Sequence, residues 1–211
     1  MSDYIPDWLL SEILCRLPVE SLLRFSTLLG LDFGFDHKTR YFKVANIAYP
    51  REANDYYMAP PEVEVYKLST GLWETVNSKG FNYKLDEDCT SVYFNGAIHW
   101  VSHSENEDGE ITNNLLVFDL SDETFSEMGL PLMLAHVSSV DLSITLCGEH
   151  ISVILIPRLS GEIGPLCDSC VVWVMNQYGK LESWMKKFVV DLNGEIDNAV
   201  GFTRKWGIEV S

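Results

Sequence analysis

Basic residues are scarce in this chain. Only 15 Lys and Arg stand against 31 Asp and Glu in 211 residues, a formal charge of −16 at neutral pH. A surface this acidic repels a phosphate backbone, which argues against a nucleic-acid partner; it suits a basic protein, but the favoured reading is that the charge simply keeps the chain soluble. Long apolar runs are missing too. No stretch approaches the ~20 residues that a membrane span needs, and the N-terminus lacks the basic segment and unbroken apolar run of a signal peptide. Cysteine is sparse and odd in number, five residues without the spacing of a disulfide framework, and there is no Asn-x-Ser/Thr sequon. These absences predict no membrane association, free thiols, and a reducing compartment, cytoplasm or nucleus. Catalytic signatures are absent as well: no Gly-x-Ser-x-Gly, no phosphate-cradling Gly-rich loop, no His-Glu-x-x-His. The expectation is a binding protein without a cofactor, not an enzyme.

What is present is enough apolar material for a core: 46% hydrophobic and 12% aromatic residues. The histidines are dispersed, and His99, between Ile98 and Trp100, reads as a hydrogen-bonded structural residue on a strand. One spacing resembles a four-ligand zinc site, Cys147-x-x-His150 followed by Cys167-x-x-Cys170. The flanks are strand-like rather than the knuckle and helix usual around zinc, so a pair of reduced thiols at strand ends is favoured and no metal is expected. Three acidic loops, Asp86-Glu87-Asp88, Glu105 to Glu110 and Asp122-Glu123, read as solvated turn tips that could together attract a basic partner. Trp73, Trp100, Trp173 and Trp184 are expected in the core.

The N-terminal run Ile5-Pro-Asp-Trp-Leu-Leu-Ser-Glu-Ile-Leu-Cys-Arg-Leu-Pro-Val-Glu-Ser-Leu-Leu-Arg-Phe25 carries a helical pattern. Pro6 suits a first turn, because its fixed φ and missing N–H cost nothing there. Leu10, Ile13, Leu14 and Leu17 form one apolar stripe, Pro18 ends that helix and opens a second, and Gly30 closes it. Two helices this short cannot bury their own stripe. They need another surface, either the rest of the chain or a partner groove.

After Gly30 the period changes to that of strands. Asp36-His-Lys-Thr39 and Ser69-Thr-Gly71 read as turns between strands, and Asn95-Gly96 between apolar runs predicts a type I′ hairpin, which needs φ > 0 at both central residues. Residues 48–61 and 103–114 read as loops, the second acidic. Residues 115–128 and 171–190 read as further strand–turn–strand units, and 199–210 as the start of another. The units repeat: Tyr66, Leu68, Ser69 and Trp73 recur about fifty positions later as Phe118, Leu120, Ser121 and Phe125. Asn95-Gly96 recurs at the same interval as Cys147-Gly148. A unit of several strands with that period belongs to kelch or propeller architectures, in which neighbouring sheets stack to bury faces no single sheet can cover.

Two resemblances follow from these residues. "IPDWLLSEILCRLPVESLLRF" resembles the first half of an F-box, the module that docks a receptor on the Skp adaptor of a cullin ubiquitin ligase. The ordered motifs "FGFD…YFKVANI", "VEVYKLSTGLWE", "YFNGAIHW", "LLVFDLSDETF" and "VWVMNQYGKLESWMKKF" are similar to the F-box-associated, kelch-like domain of plant F-box receptors, a family that includes the S-locus F-box proteins. The resemblance implies a mostly β chain: a short N-terminal helical hairpin over residues 1–30, a partial F-box, followed by an incomplete propeller-like domain over 31–211. Phe25 is followed by "STLLGLDFGFD", where an F-box would continue with a Ser-Trp-type segment and a third helix, so the chain looks shortened. The implied function is the substrate-recognition subunit of a Skp–cullin–F-box ligase, with Pro6, Leu9, Ile13, Leu14, Leu17, Pro18, Leu22 and Leu23 on the adaptor and the β domain on a protein substrate. The alternative is a truncated binding module, or non-functional fragment, that no longer serves a ligase.

Overall fold

The computed structural model describes residues 30–49, 61–77, 83–86, 89–106, 108–156, 169–191, 199–202 and 208–210. The expected helical hairpin lies outside these residues, as does most of the loop expected at 48–61. Four-strand meanders dominate what is described. The first contains β1 (Gly30–Asp36), β2 (Tyr41–Ala48), β3 (Glu62–Lys67) and β4 (Leu72–Val76); the second β5 (Ser91–Phe94), β6 (Ala97–Glu105), β7 (Ile111–Asp119) and β8 (Thr124–Gly129). The third contains β9 (Leu142–Cys147), β10 (His150–Leu155), β11 (Ser169–Met175) and β12 (Trp184–Asp191). Within each sheet the strands pair antiparallel in chain order. A final pair, β13 (Ala199–Phe202) and β14 (Ile208–Val210), starts a further sheet, as the sequence predicts.

The first strands of successive sheets touch: β1 lies against β5, β5 against β9, and β9 against β13. The sheets are therefore blades fanned about a shared inner edge, with β4, β8 and β12 outermost. Each pair of facing blades encloses a core. Between the first two lie Ala45, Ile47, Val63, Val65, Ile98, Trp100, Leu116 and Phe118; between the second and third lie Val101, Leu115, Ile144, Ile151, Val153 and Met175. Alternate residues of one strand serve different cores, Leu116 and Phe118 facing the first blade and Leu115 the third. This is the period-2 pattern of a sheet buried on both faces. Close approach is tightest at Gly34 on β1, where an added Cβ would clash with the Leu120 and Tyr93 side chains of the second blade.

The turns account for the repeat. Asn95 and Gly96 have φ of 52° and 79°, the left-handed pair of a type I′ turn. Tyr66 pairs with Trp73 across β3 and β4, and Phe118 with Phe125 across β7 and β8, with ring centroids 5.4 and 4.7 Å apart. The recurring aromatics are thus cross-strand pairs that hold each outer hairpin. Two expectations need correction. Cys147 is not part of a turn: it is the last residue of β9, paired with His150, and Gly148 and Glu149 make the turn. Residues 103–114 are not a loop throughout, because β6 runs to Glu105 and β7 begins at Ile111. Polar residues persist in these strands because they have partners outside the ladder. Asn113, fully buried, donates from Nδ2 to the carbonyls of Leu134 (2.9 Å) and Val137 (2.8 Å) in the connection to the third blade.

Candidate docking ends and the ties between blades

In each meander the first–second and third–fourth turns fall at one end of the blade, and the second–third turn and the link to the next blade fall at the other. At the first end a network of charges joins two blades. Lys43 on β2, 4% exposed, places Nζ 2.8 Å from Asp36 Oδ2, 2.7 Å from Glu123 Oε1 and 2.6 Å from the Leu120 carbonyl oxygen. Lys67 reaches the same Glu123 Oε1 at 2.9 Å and Glu74 Oε2 at 2.6 Å. Asp36 is fully buried and also accepts from Ser121 Oγ (2.7 Å), Thr39 Oγ1 (2.8 Å) and the Lys38 N–H (2.8 Å). Burial alone would raise its carboxyl. Lys43, Ser121, Thr39 and the Lys38 amide outweigh that and hold it far below the ordinary carboxylate range. At the rim Lys38 pairs with Asp122.

Asp122 and Glu123 are therefore answered by lysines. They lie at the opposite end from Asp86 and from the 105–110 hairpin, so the three acidic loops do not form one surface. The 83–86 segment does meet β6: the Lys84↔His103 bridge joins them, Lys84 Nζ lies 3.3 Å from Glu105 Oε2, and Asp86 Oδ2 lies 3.9 Å from His103 Nδ1.

Further polar ties cross the blade interfaces. Trp100 Nε1 donates to Asp32 Oδ2 at 2.7 Å, and Ser91 Oγ donates to the same carboxyl group. Burial raises the Asp32 carboxyl, and these two donors offset part of that rise. Between the second and third blades Trp184 Nε1 donates to the Gly129 carbonyl (3.1 Å), and the Ile144 N–H to Thr90 Oγ1 (2.8 Å). Trp73 and Trp173 are partly buried against their cores.

His99 completes that second interface. It is fully buried, with Nδ1 3.3 Å from the Val92 carbonyl and Nε2 2.8 Å from the Tyr178 hydroxyl. A carbonyl can only accept, so Nδ1 carries the proton and Nε2 accepts from Tyr178. Burial pulls the imidazole down from 6.5 to about 4, with backbone hydrogen bonds opposing. A depressed histidine is neutral in the fold and protonates first in the unfolded chain, so its contribution is complete above pH 6.5 and is lost as pH falls from 6.5 through about 4. Over that window His99 alone is expected to remove about 3 kcal/mol. Burial lowers His103 in the same direction. Urea unfolding in steps from pH 7.5 to 4 should show the decline, and His99→Gln should flatten most of it. An unchanged slope in that variant would refute the assignment.

The zinc spacing does not converge among the described residues. Cys147 and His150 are cross-strand partners at one end of the third blade. Cys170 lies just beyond the Leu155↔Val171 pair at the other end, about 20 Å along the strand from His150. Cys167 lies outside the described residues. Burial raises the Cys170 thiol, the opposite of what a metal ligand needs. The adaptor set Pro6, Leu9, Ile13, Leu14, Leu17, Pro18, Leu22 and Leu23 also lies outside them. No helix among the described residues is long and apolar enough to cross a membrane.

A family profile described as the F-box associated beta propeller domain matches residues 25–206. The chain belongs to that family. The F-box-associated propeller fits the fanned four-strand blades and their period. Relatives in Arabidopsis thaliana agree. A candidate F-box protein is 27% identical over 147 residues, covering 67% of this chain and 36% of its own. An F-box/kelch-repeat protein is 23% identical, covering 73% of this chain and 38% of its own, and another F-box protein is 27% identical, covering 75% and 39%. The F-box-associated propeller described here thus spans well under half the length of the relatives it matches. Sequence reasoning found the family from ordered motifs, but it missed the inter-blade network of Asp36, Lys43 and Glu123. Those residues are 7 and 80 positions apart and follow no period.

Proposed function

We propose that the chain is the substrate-recognition subunit of a Skp–cullin–F-box ubiquitin ligase. The observation that carries this reading is a propeller of the F-box-associated family joined directly to the F-box-like run Ile5–Phe25. In this reading Leu9, Ile13, Leu14, Leu17, Leu22 and Leu23 enter the groove of a Skp-type adaptor, with Pro6 and Pro18 setting the helix starts, and the adaptor carries the cullin. The receptor performs no chemistry. It raises the effective concentration of substrate lysines near the charged conjugating enzyme. The substrate is a protein held by the blades.

The test is a pull-down with a purified Skp-type adaptor. Wild type should be retained, and Leu14→Asp, which places a charge in an apolar seam, should lose at least tenfold in affinity. A second reading, a propeller module without a ligase role, is favoured by the segment after Phe25, which departs from the F-box pattern. Failure of the wild type to bind, with Leu14→Asp indistinguishable from it, would select that reading.

A further inference from the structure

The end of the second blade opposite the lysine network combines features that the ties between blades do not use. The link from β8 to β9 contains α1 (Leu132–Ala135). Leu134 and Ala135 face inward and are buried, whereas Leu132 and Met133 are 77% and 69% exposed. Ile111, at the start of the adjoining β7, is 48% exposed. The segment is pinned in place: Asn113 takes the carbonyls of Leu134 and Val137, and the Ile111 carbonyl lies 3.2 Å from His136 Nδ1. Three large apolar side chains are thus held on a fixed support and left facing water, a costly arrangement for a surface without a use.

Beside them stands the β6–β7 hairpin, with exposed Glu105, Asp108 and Glu110; Lys84 Nζ lies 3.3 Å from Glu105 Oε2, so the border holds three carboxylates against one ammonium and stays net negative. Its shape is also fixed. Asn106 Oδ1 accepts from the amides of Asp108 (3.0 Å) and Glu110 (2.8 Å), and Gly109 has φ of 79°. An apolar surface bordered by carboxylates on a hydrogen-bonded hairpin is complementary to one chemistry, a cationic segment with apolar anchors.

We propose that this end of the second blade, with Ile111, Leu132 and Met133 as its apolar floor and Glu105, Asp108 and Glu110 as its charged border, docks a Lys- or Arg-rich protein segment bearing large apolar side chains. This names the substrate chemistry of the receptor reading and rests on it. The two fail separately, because adaptor retention does not involve these residues.

The test uses the full chain and three 14-residue peptides, one alternating Lys and Leu, one Lys and Ser, one Glu and Leu, followed by fluorescence anisotropy in 50 and 300 mM salt. The Lys/Leu peptide should bind at least tenfold more tightly than either of the others and weaken in high salt. Leu132→Ser with Met133→Ser should abolish that advantage while leaving Lys/Ser binding unchanged. Asp108→Lys with Glu110→Lys should weaken Lys/Leu binding at least tenfold, and Glu149→Lys with Glu182→Lys, an equal charge change at the far end, should leave it intact. Circular dichroism confirms that each variant is folded. Equal binding of the two basic peptides, equal loss at both ends, or preference for the Glu/Leu peptide overturns the proposal. So does a wild-type dimer that the Leu132/Met133 variant dissociates, since a second copy would then own the surface.

Discussion

Replacing Lys43 with methionine is expected to destabilise the protein by about 3–5 kcal/mol, the cost of stranding a buried charge. The ammonium has three partners within 2.8 Å, and Asp36, the most enclosed, is fully buried. Without Lys43 the carboxylate retains hydroxyl and amide donors but no opposite charge, and the Leu120 carbonyl loses its donor. The pH dependence gives an independent check. In the wild type the Asp36 carboxyl lies below its usual 3.8, so its stabilisation is present above that value and is lost as pH falls through the lower folded one. In the variant the nearest opposite charge is gone and the carboxyl rises from its wild-type position, so the variant loses less than the wild type when Asp36 is protonated. The gap in urea midpoint should therefore narrow as the pH falls below about 4. Adding Asp36→Asn to Lys43→Met should recover more than half of the loss, because a neutral amide can still bond Ser121 and Thr39. A loss below about 1 kcal/mol in the single variant, or no recovery in the double, would show that the network is incidental.

How much of this could be read beforehand follows from the range of each interaction. The Asn95-Gly96 hairpin and the Tyr66/Trp73 and Phe118/Phe125 pairs are local, each set by residues within a few positions, and the repeat made them visible twice. Stacking of blades followed from the repeat itself, since a unit of a few strands cannot bury its own sheet. The misread loop at 103–114 shows the limit. Its polar residues look solvated in isolation, yet Asn113 is buried because the β8–β9 link, some twenty residues on, presents two carbonyls to it. The same holds for Asp36, whose partners come from two blades. Composition gave the acidity of the chain but not its division. Acids at one end are neutralised by Lys38, Lys43 and Lys67, while in the 105–110 hairpin Lys84 answers Glu105 and leaves Asp108 and Glu110 without a lysine partner among the described residues.

Trp100→Ala is expected to cost about 3–5 kcal/mol from packing alone, the range for removing a large buried aromatic. The indole is fully buried between the first two blades, beside Ile98, Leu116 and Phe118, so the void would open at the interface itself. The polar part of the loss can be separated. Trp100→Phe keeps most of the ring volume but removes the Nε1 donor to Asp32, leaving that carboxyl with Ser91 as its remaining side-chain donor. A smaller loss, about 1–3 kcal/mol, is expected from a half-satisfied buried acceptor. Burial already raises the Asp32 carboxyl and the indole opposes this, so in Trp100→Phe the carboxyl rises further and the deficit should shrink in acid. Asp32→Asn in the Trp100→Phe background should have the same effect at neutral pH, since the amide carries no charge to desolvate. If Trp100→Phe is as stable as wild type while Trp100→Ala is not, the indole serves only to fill space. If both variants lose stability and only the Phe variant is rescued by Asn, the tie to Asp32 helps fix how the first blade sits on the second. The apolar core supplies most of the adhesion between blades, but apolar contacts are tolerant of sliding by a residue pair. A directed bond from the indole to one carboxylate on β1 is not, and it is what would fix the register.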